Sequence, residues 1–141
     1  MTTDITVSVD VAAPRPEVWR ATTTAVGLAP WWWSDAGDAT FDVPNRINQP
    51  YRVASRRLGV AVRGWVLERK QPERFVLNWL LEGDEPPAGQ EPDHVTYTLE
   101  ERGFGTRLTV VHQTRQDDPE RLREAWTQLL ASLVKLYDNA H

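Results

Sequence analysis

His112 is the side chain in this sequence best suited to acid–base chemistry, because a neutral imidazole accepts a proton near pH 7. It follows Leu108 and Val110 at two-residue steps, so a strand there turns all three to one face. The same alternation joins Val95, Tyr97 and Leu99, then Phe75, Leu77 and Trp79, and then Tyr51, Val53, Ser55 and Arg57. Brought together, Tyr51, Trp79, Tyr97, His112 and Trp126 form a ring around aliphatic side chains, with a few polar groups to orient a bound molecule. His112 or Arg57 would be the acid or base of any reaction there. The same residues also make a packed core, in which imidazole and phenol hydroxyls are simply hydrogen-bonded.

Other chemistries find little support. His94, His112 and His141 lie far apart with no paired ligand spacing, so no metal is expected. Gly103-Phe104-Gly105 lacks the following helix that a phosphate-cradling loop needs and reads as a hairpin turn. No serine or threonine sits in a nucleophile elbow, and no cofactor motif is present. Asp84, Glu85, Glu91 and Asp93 cluster in one polar stretch, which suits a solvated loop better than a catalytic carboxylate pair. With no cysteine there is neither a disulfide framework nor thiol catalysis.

The net charge of −4 argues against a nucleic-acid partner, and Arg56-Arg57 is the densest basic spot. No apolar run approaches the ~20 residues of a membrane span. Met1 to Asp10 has no basic start and no unbroken apolar stretch, so a cytoplasmic protein without a membrane span is expected. Seven tryptophans are the compositional oddity, since each must be buried, stacked or presented to a ligand. Trp31, Trp32 and Trp33 are consecutive, and helical neighbours stand about 100° apart, so they cannot share one face. Trp33 is assigned to the cavity, and Trp31 or Trp32 to a protein partner or a second copy. Trp65 has the parity of Arg63 and Arg69 and points outward, either to a partner or over neighbouring arginine stems.

The elements that must position these residues follow from periodicity. Ile5, Val7, Val9 and Val11 alternate with polar residues as a half-buried strand, which Ala12-Ala13-Pro14 breaks. Pro14 or Pro16 opens a short helix with Val18 and Trp19 inward. Gly27 and Pro30 mark a second short helix ending in the tryptophan run. Six strands are expected next: Thr40 to Val43, Tyr51 to Arg57, Val60 to Lys70, Glu73 to Leu81, His94 to Glu101 and Thr106 to Gln113. Short turns between them imply an antiparallel meander, with Gly83 to Pro92 the one longer polar loop. Last comes a helix over Asp117 to Tyr137, started by Asp118 and Pro119. Leu122, Trp126, Leu129, Leu130, Leu133, Leu136 and Tyr137 form its apolar stripe. One domain over residues 1–141 is expected.

In this order the sequence resembles the SRPBCC, or START-like and birch-pollen-allergen-like, helix-grip superfamily. It is most similar to the Aha-type branch, related to the activator of the heat-shock-protein ATPase. The resemblance rests on Pro14 to Trp19 with Leu28 and the tryptophan run, Gly64 to Trp79, and Val95 to His112, and on Trp126, Leu130, Leu133 and Tyr137. Ala125 stands where the family usually has glycine, and a third tryptophan where two are common. The resemblance implies an α+β fold, with a curved antiparallel sheet of about seven strands. Two short helices follow its first strand, and it wraps around the long C-terminal helix. It also implies a cavity for a small hydrophobic or aromatic molecule, without a cofactor. The residues expected to line it are Trp33, Phe41, Tyr51, Val53, Arg57, Trp79, Tyr97, Val110, His112, Trp126, Leu130 and Leu133. A cyclase- or dehydratase-like enzyme in the same pocket, and a co-chaperone-like interaction module, are the alternatives.

Overall fold

Alternating valines make β1 (Thr3–Val11), with Ile5 and Val11 buried and Thr6, Ser8 and Asp10 exposed. The computed structural model describes residues 2–83, 89–115 and 118–138. Asp84, Glu85, Asp117 and His141, and so part of the polar loop, lie outside them. After β1 come α1 (Arg15–Thr23) and the single turn α2 (Ala25–Leu28). The strands are β2 (Thr40–Asp42), β3 (Pro50–Ser55), β4 (Val60–Lys70), β5 (Arg74–Leu81), β6 (Asp93–Arg102) and β7 (Gly105–Thr114). The long helix is α3 (Pro119–Asp138), where Asp118 Oδ1 accepts the Arg121 N–H at 3.3 Å as an N-cap.

The strands form one open seven-stranded sheet in the order β1-β7-β6-β5-β4-β3-β2, antiparallel at every pairing. Short hairpins produce the meander, and β1 extends it as the edge strand beside β7. The helices cover one face. From α1, Trp19 meets Phe75 edge-on at 5.9 Å, and Phe75 stacks on Tyr97 at 5.9 Å. On α3, Trp126, Leu130 and Leu133 are buried, and the helix backbone runs closest to β1, where Arg123 Nη1 donates to the Thr6 carbonyl. The helix therefore leans to one side of the sheet, and the chain between α2 and β2 covers the rest.

Five expectations are corrected here. The second helix ends at Leu28 and does not reach the tryptophans, because Pro30 has no N–H to continue it. A 3-10 turn, Ser34–Ala36, follows where only strands and turns were expected. Trp31 and Trp32 are 2% and 3% exposed, and the Trp31 N–H donates to the Ala21 carbonyl at 3.0 Å, so neither can meet a partner. Arg57 is exposed and lies beyond β3. The reason is Asp38, whose carboxylate takes the Ser55 hydroxyl at 2.6 Å and the Arg57 N–H at 3.0 Å and so turns the chain out of the strand. The Ser55 hydroxyl first, then the N–H groups of Arg57 and Arg56, hold the Asp38 carboxyl below its usual range.

Arg69 is the fifth. It was paired with Trp65 on the outer face, and Trp65 is indeed 44% exposed. Between them a bulge at Val66–Glu68 shifts the register and reverses the parity. Arg69 then faces Phe75, and its guanidinium lies 5.6 Å from the Trp19 ring and 5.7 Å from the Phe75 ring.

Gly64 matters to the inner face. It pairs with Tyr51, whose hydroxyl crosses to donate to the Asn78 carbonyl at 2.6 Å. A Cβ on Gly64 would lie 2.6 Å from that same backbone oxygen. Gly64→Ala should therefore cost about 1–3 kcal/mol by overpacking and lower the urea midpoint without abolishing the fold. An unshifted midpoint would show that β4 and β5 can part there freely.

Candidate functional site

Beneath α3 the expected ring assembles in part, around a chain of polar contacts. The Trp126 N–H donates to His112 Nδ1 at 2.9 Å, and His112 Nε2 lies 2.9 Å from Asp93 Oδ2. An indole N–H can only donate, so Nδ1 supplies its lone pair. The proton then sits on Nε2, and that N–H donates to the Asp93 carboxylate. Both nitrogens of a fully buried ring are thereby engaged, and none remains to take a proton from a substrate. His112 ties the helix to the sheet.

Trp32 occupies the middle of the ring. Its indole packs within 5.4–6.2 Å of Trp31, Trp33, Trp79 and Trp126, mostly edge to face. On one side of it an open cavity of about 720 Å³ lies between the tryptophan run, the ends of β4 and β5, and α3. Trp33, Trp79 and Trp126 line it, with Val60, Val62 and Leu81 from the sheet and Leu122, Ala125 and Leu129 from the helix. Ser34, Asp35, Arg121 and Gln128 supply its polar groups. On the other side a space of about 20 Å³, enough for one water at most, separates Tyr51, Val53 and Tyr97. Burial pushes the Tyr97 phenol pKa up, and burial together with Tyr97 does the same at Tyr51, so both hydroxyls keep their protons.

The structure thus divides the expected residues into three groups. Trp33, Trp79 and Trp126 face the large cavity, and Tyr51, Val53 and Tyr97, again with Trp79, face the small space. Phe41, Arg57, Val110, His112, Leu130 and Leu133 face neither. Sequence reasoning missed Trp32 and the helix wall of Leu122, Ala125 and Leu129. A signal for that wall existed, since Leu122 and Leu129 stand on the apolar stripe and Ala125 falls between them at three- and four-residue steps. Among the described residues no group of three or more His, Asp or Glu could hold a metal ion. No described helix is long and apolar enough to cross a membrane.

A family model described as Activator of Hsp90 ATPase homolog 1-like protein matches residues 12–138. No curated protein matches the chain. Among solved structures, DynU16 from the dynemicin biosynthetic locus superposes with a TM-score of 0.81 at 22% identity. That match covers 97% of this chain and 48% of DynU16, so the chain spans about half of that protein. CalU16 from Micromonospora echinospora matches with a TM-score of 0.71 at 23% identity, covering 94% of this chain and 74% of that one. The Aha1 dimer from Colwellia psychrerythraea matches with a TM-score of 0.76 at 17% identity, covering 96% of each chain. At these identities the likeness establishes the fold alone.

Proposed function

From the premise that this chain belongs to the Activator of Hsp90 ATPase homolog 1-like family, as the match over residues 12–138 establishes, we propose that it binds a small aromatic molecule in the open cavity. The observation that carries this is the cavity of about 720 Å³ walled by tryptophans and aliphatic side chains. Its size and mainly apolar lining suit a small-molecule site. Flat indole faces favour a planar guest, and Arg121 and Gln128 offer polar contacts. The origin of DynU16 in a biosynthetic locus fits a small-molecule ligand. Catalysis by His112 is not part of the proposal, because both of its nitrogens are already engaged.

Calorimetric titration with 2-acetylnaphthalene tests it. Saturable binding at one site per chain is expected, with a rise in Tm. At a hundredfold excess over Kd the gain in stability is about 2.7 kcal/mol. A titration without saturable heat, and no change in Tm, would overturn the proposal.

A second reading concerns the outer face, where Trp65 and Leu67 are 44% and 38% exposed on β4. It supposes that two copies pair there, as the existence of an Aha1 dimer encourages. Concentration-dependent sedimentation that Trp65→Ser abolishes would support it, and a monomer at every concentration would reject it.

A further inference from the structure

We propose that Trp32 is a movable partition, and that its indole N–H is the donor for a hydrogen-bond acceptor on the bound molecule. This rests on the reading of the open cavity as a ligand site. Trp32 is 3% exposed, and its N–H has no acceptor among the described residues. Three buried polar tips around it are matched: Trp31 to the Ala21 carbonyl, Trp126 to His112 and Tyr51 to the Asn78 carbonyl. A buried donor without a partner costs free energy, and a native core keeps few of them. The ring also forms a wall of both the large cavity and the small space. Turning it joins the two and brings the N–H towards a guest.

The backbone favours such a turn. Trp33, the next residue, holds φ 50° and ψ 34°, a left-handed conformation that costs free energy for a bulky side chain. On the other side the N–H groups of Trp31 and Trp32 both reach the Leu28 carbonyl, at 3.2 and 2.9 Å, so the turn is one of the side chain about a held backbone. An indole N–H donates and never accepts, which defines the ligand class. The guest is a planar apolar molecule with a carbonyl, quinone or phenoxide oxygen at the end that enters deepest. A guest bearing only donors there leaves the Trp32 N–H unpaired.

Two probes of the same outline separate the possibilities. One is 2-acetylnaphthalene, which carries an oxygen, and the other is 2-isopropylnaphthalene, which does not. In the ¹⁵N–¹H spectrum of the seven indoles, Trp32→Phe identifies the Trp32 resonance by its loss. On the wild-type protein 2-acetylnaphthalene should move that resonance downfield, and 2-isopropylnaphthalene should not. In affinity, Trp32→Phe should weaken 2-acetylnaphthalene about tenfold more than 2-isopropylnaphthalene, the worth of one hydrogen bond. The wild-type spectra stand even where the variant folds poorly, because the resonance that responds to only one probe is read directly. Binding of both probes with every indole responding alike would overturn the partition and leave the cavity reading intact. Binding of neither probe would overturn both.

Discussion

Replacing Trp126 by alanine should be the most damaging single change in α3. The ring is 2% exposed and packs against Trp32, Trp79, Tyr97 and His112 at centroid distances of 5.3–6.1 Å. Deleting a buried aromatic ring of this size costs about 3–5 kcal/mol. His112 Nδ1 would also lose its donor inside the core, which adds about 1–3 kcal/mol. The sum is comparable with the whole stability of a domain this size, about 5–15 kcal/mol. Urea unfolding of Trp126→Ala should show a midpoint near zero or no folded baseline. Trp126→Phe keeps most of the packing, so its deficit should approach the hydrogen-bond component alone. A Trp126→Ala midpoint equal to wild type would show that α3 does not need its anchor on β7.

Filling the open cavity from the helix side should abolish binding while leaving the protein folded. Ala125 is exposed on α3 and borders the cavity, so Ala125→Trp puts a large ring where the guest would lie. Its midpoint should stay close to wild type, because surface substitutions of this kind typically shift stability by about 0.5 kcal/mol or less. Calorimetry with 2-acetylnaphthalene should give no saturable heat. Leu130→Trp is the matched control, since Leu130 is 1% exposed and borders neither space. That change overpacks the core and should cost about 1–3 kcal/mol or more. Retained binding in Ala125→Trp would mean that the site lies elsewhere.

Much of this architecture was legible in order along the chain. Period-two alternation located the strands to within one or two residues, and the stripe through Trp126, Leu130 and Leu133 identified the buried face of α3. Such patterns are local, because side-chain direction within one element depends only on its own repeat. His112 and Trp126 could be assigned to the interior on that basis alone. Their mutual hydrogen bond could not, since it depends on where α3 settles over β7.

The remaining features came from contacts between segments, which periodicity does not encode. Arg57 left the inner face because Asp38, 19 positions away, captures its backbone. Arg69 turned inward because one bulge reversed the parity of the last residues of β4. Trp32 filled the centre because a stretch with no regular repeat folds back between sheet and helix. The cavity itself is the volume left where α3 leans towards β1, and no residue type announces it. Sequence pattern governs which side chains face inward, and tertiary packing alone governs what empty space remains among them.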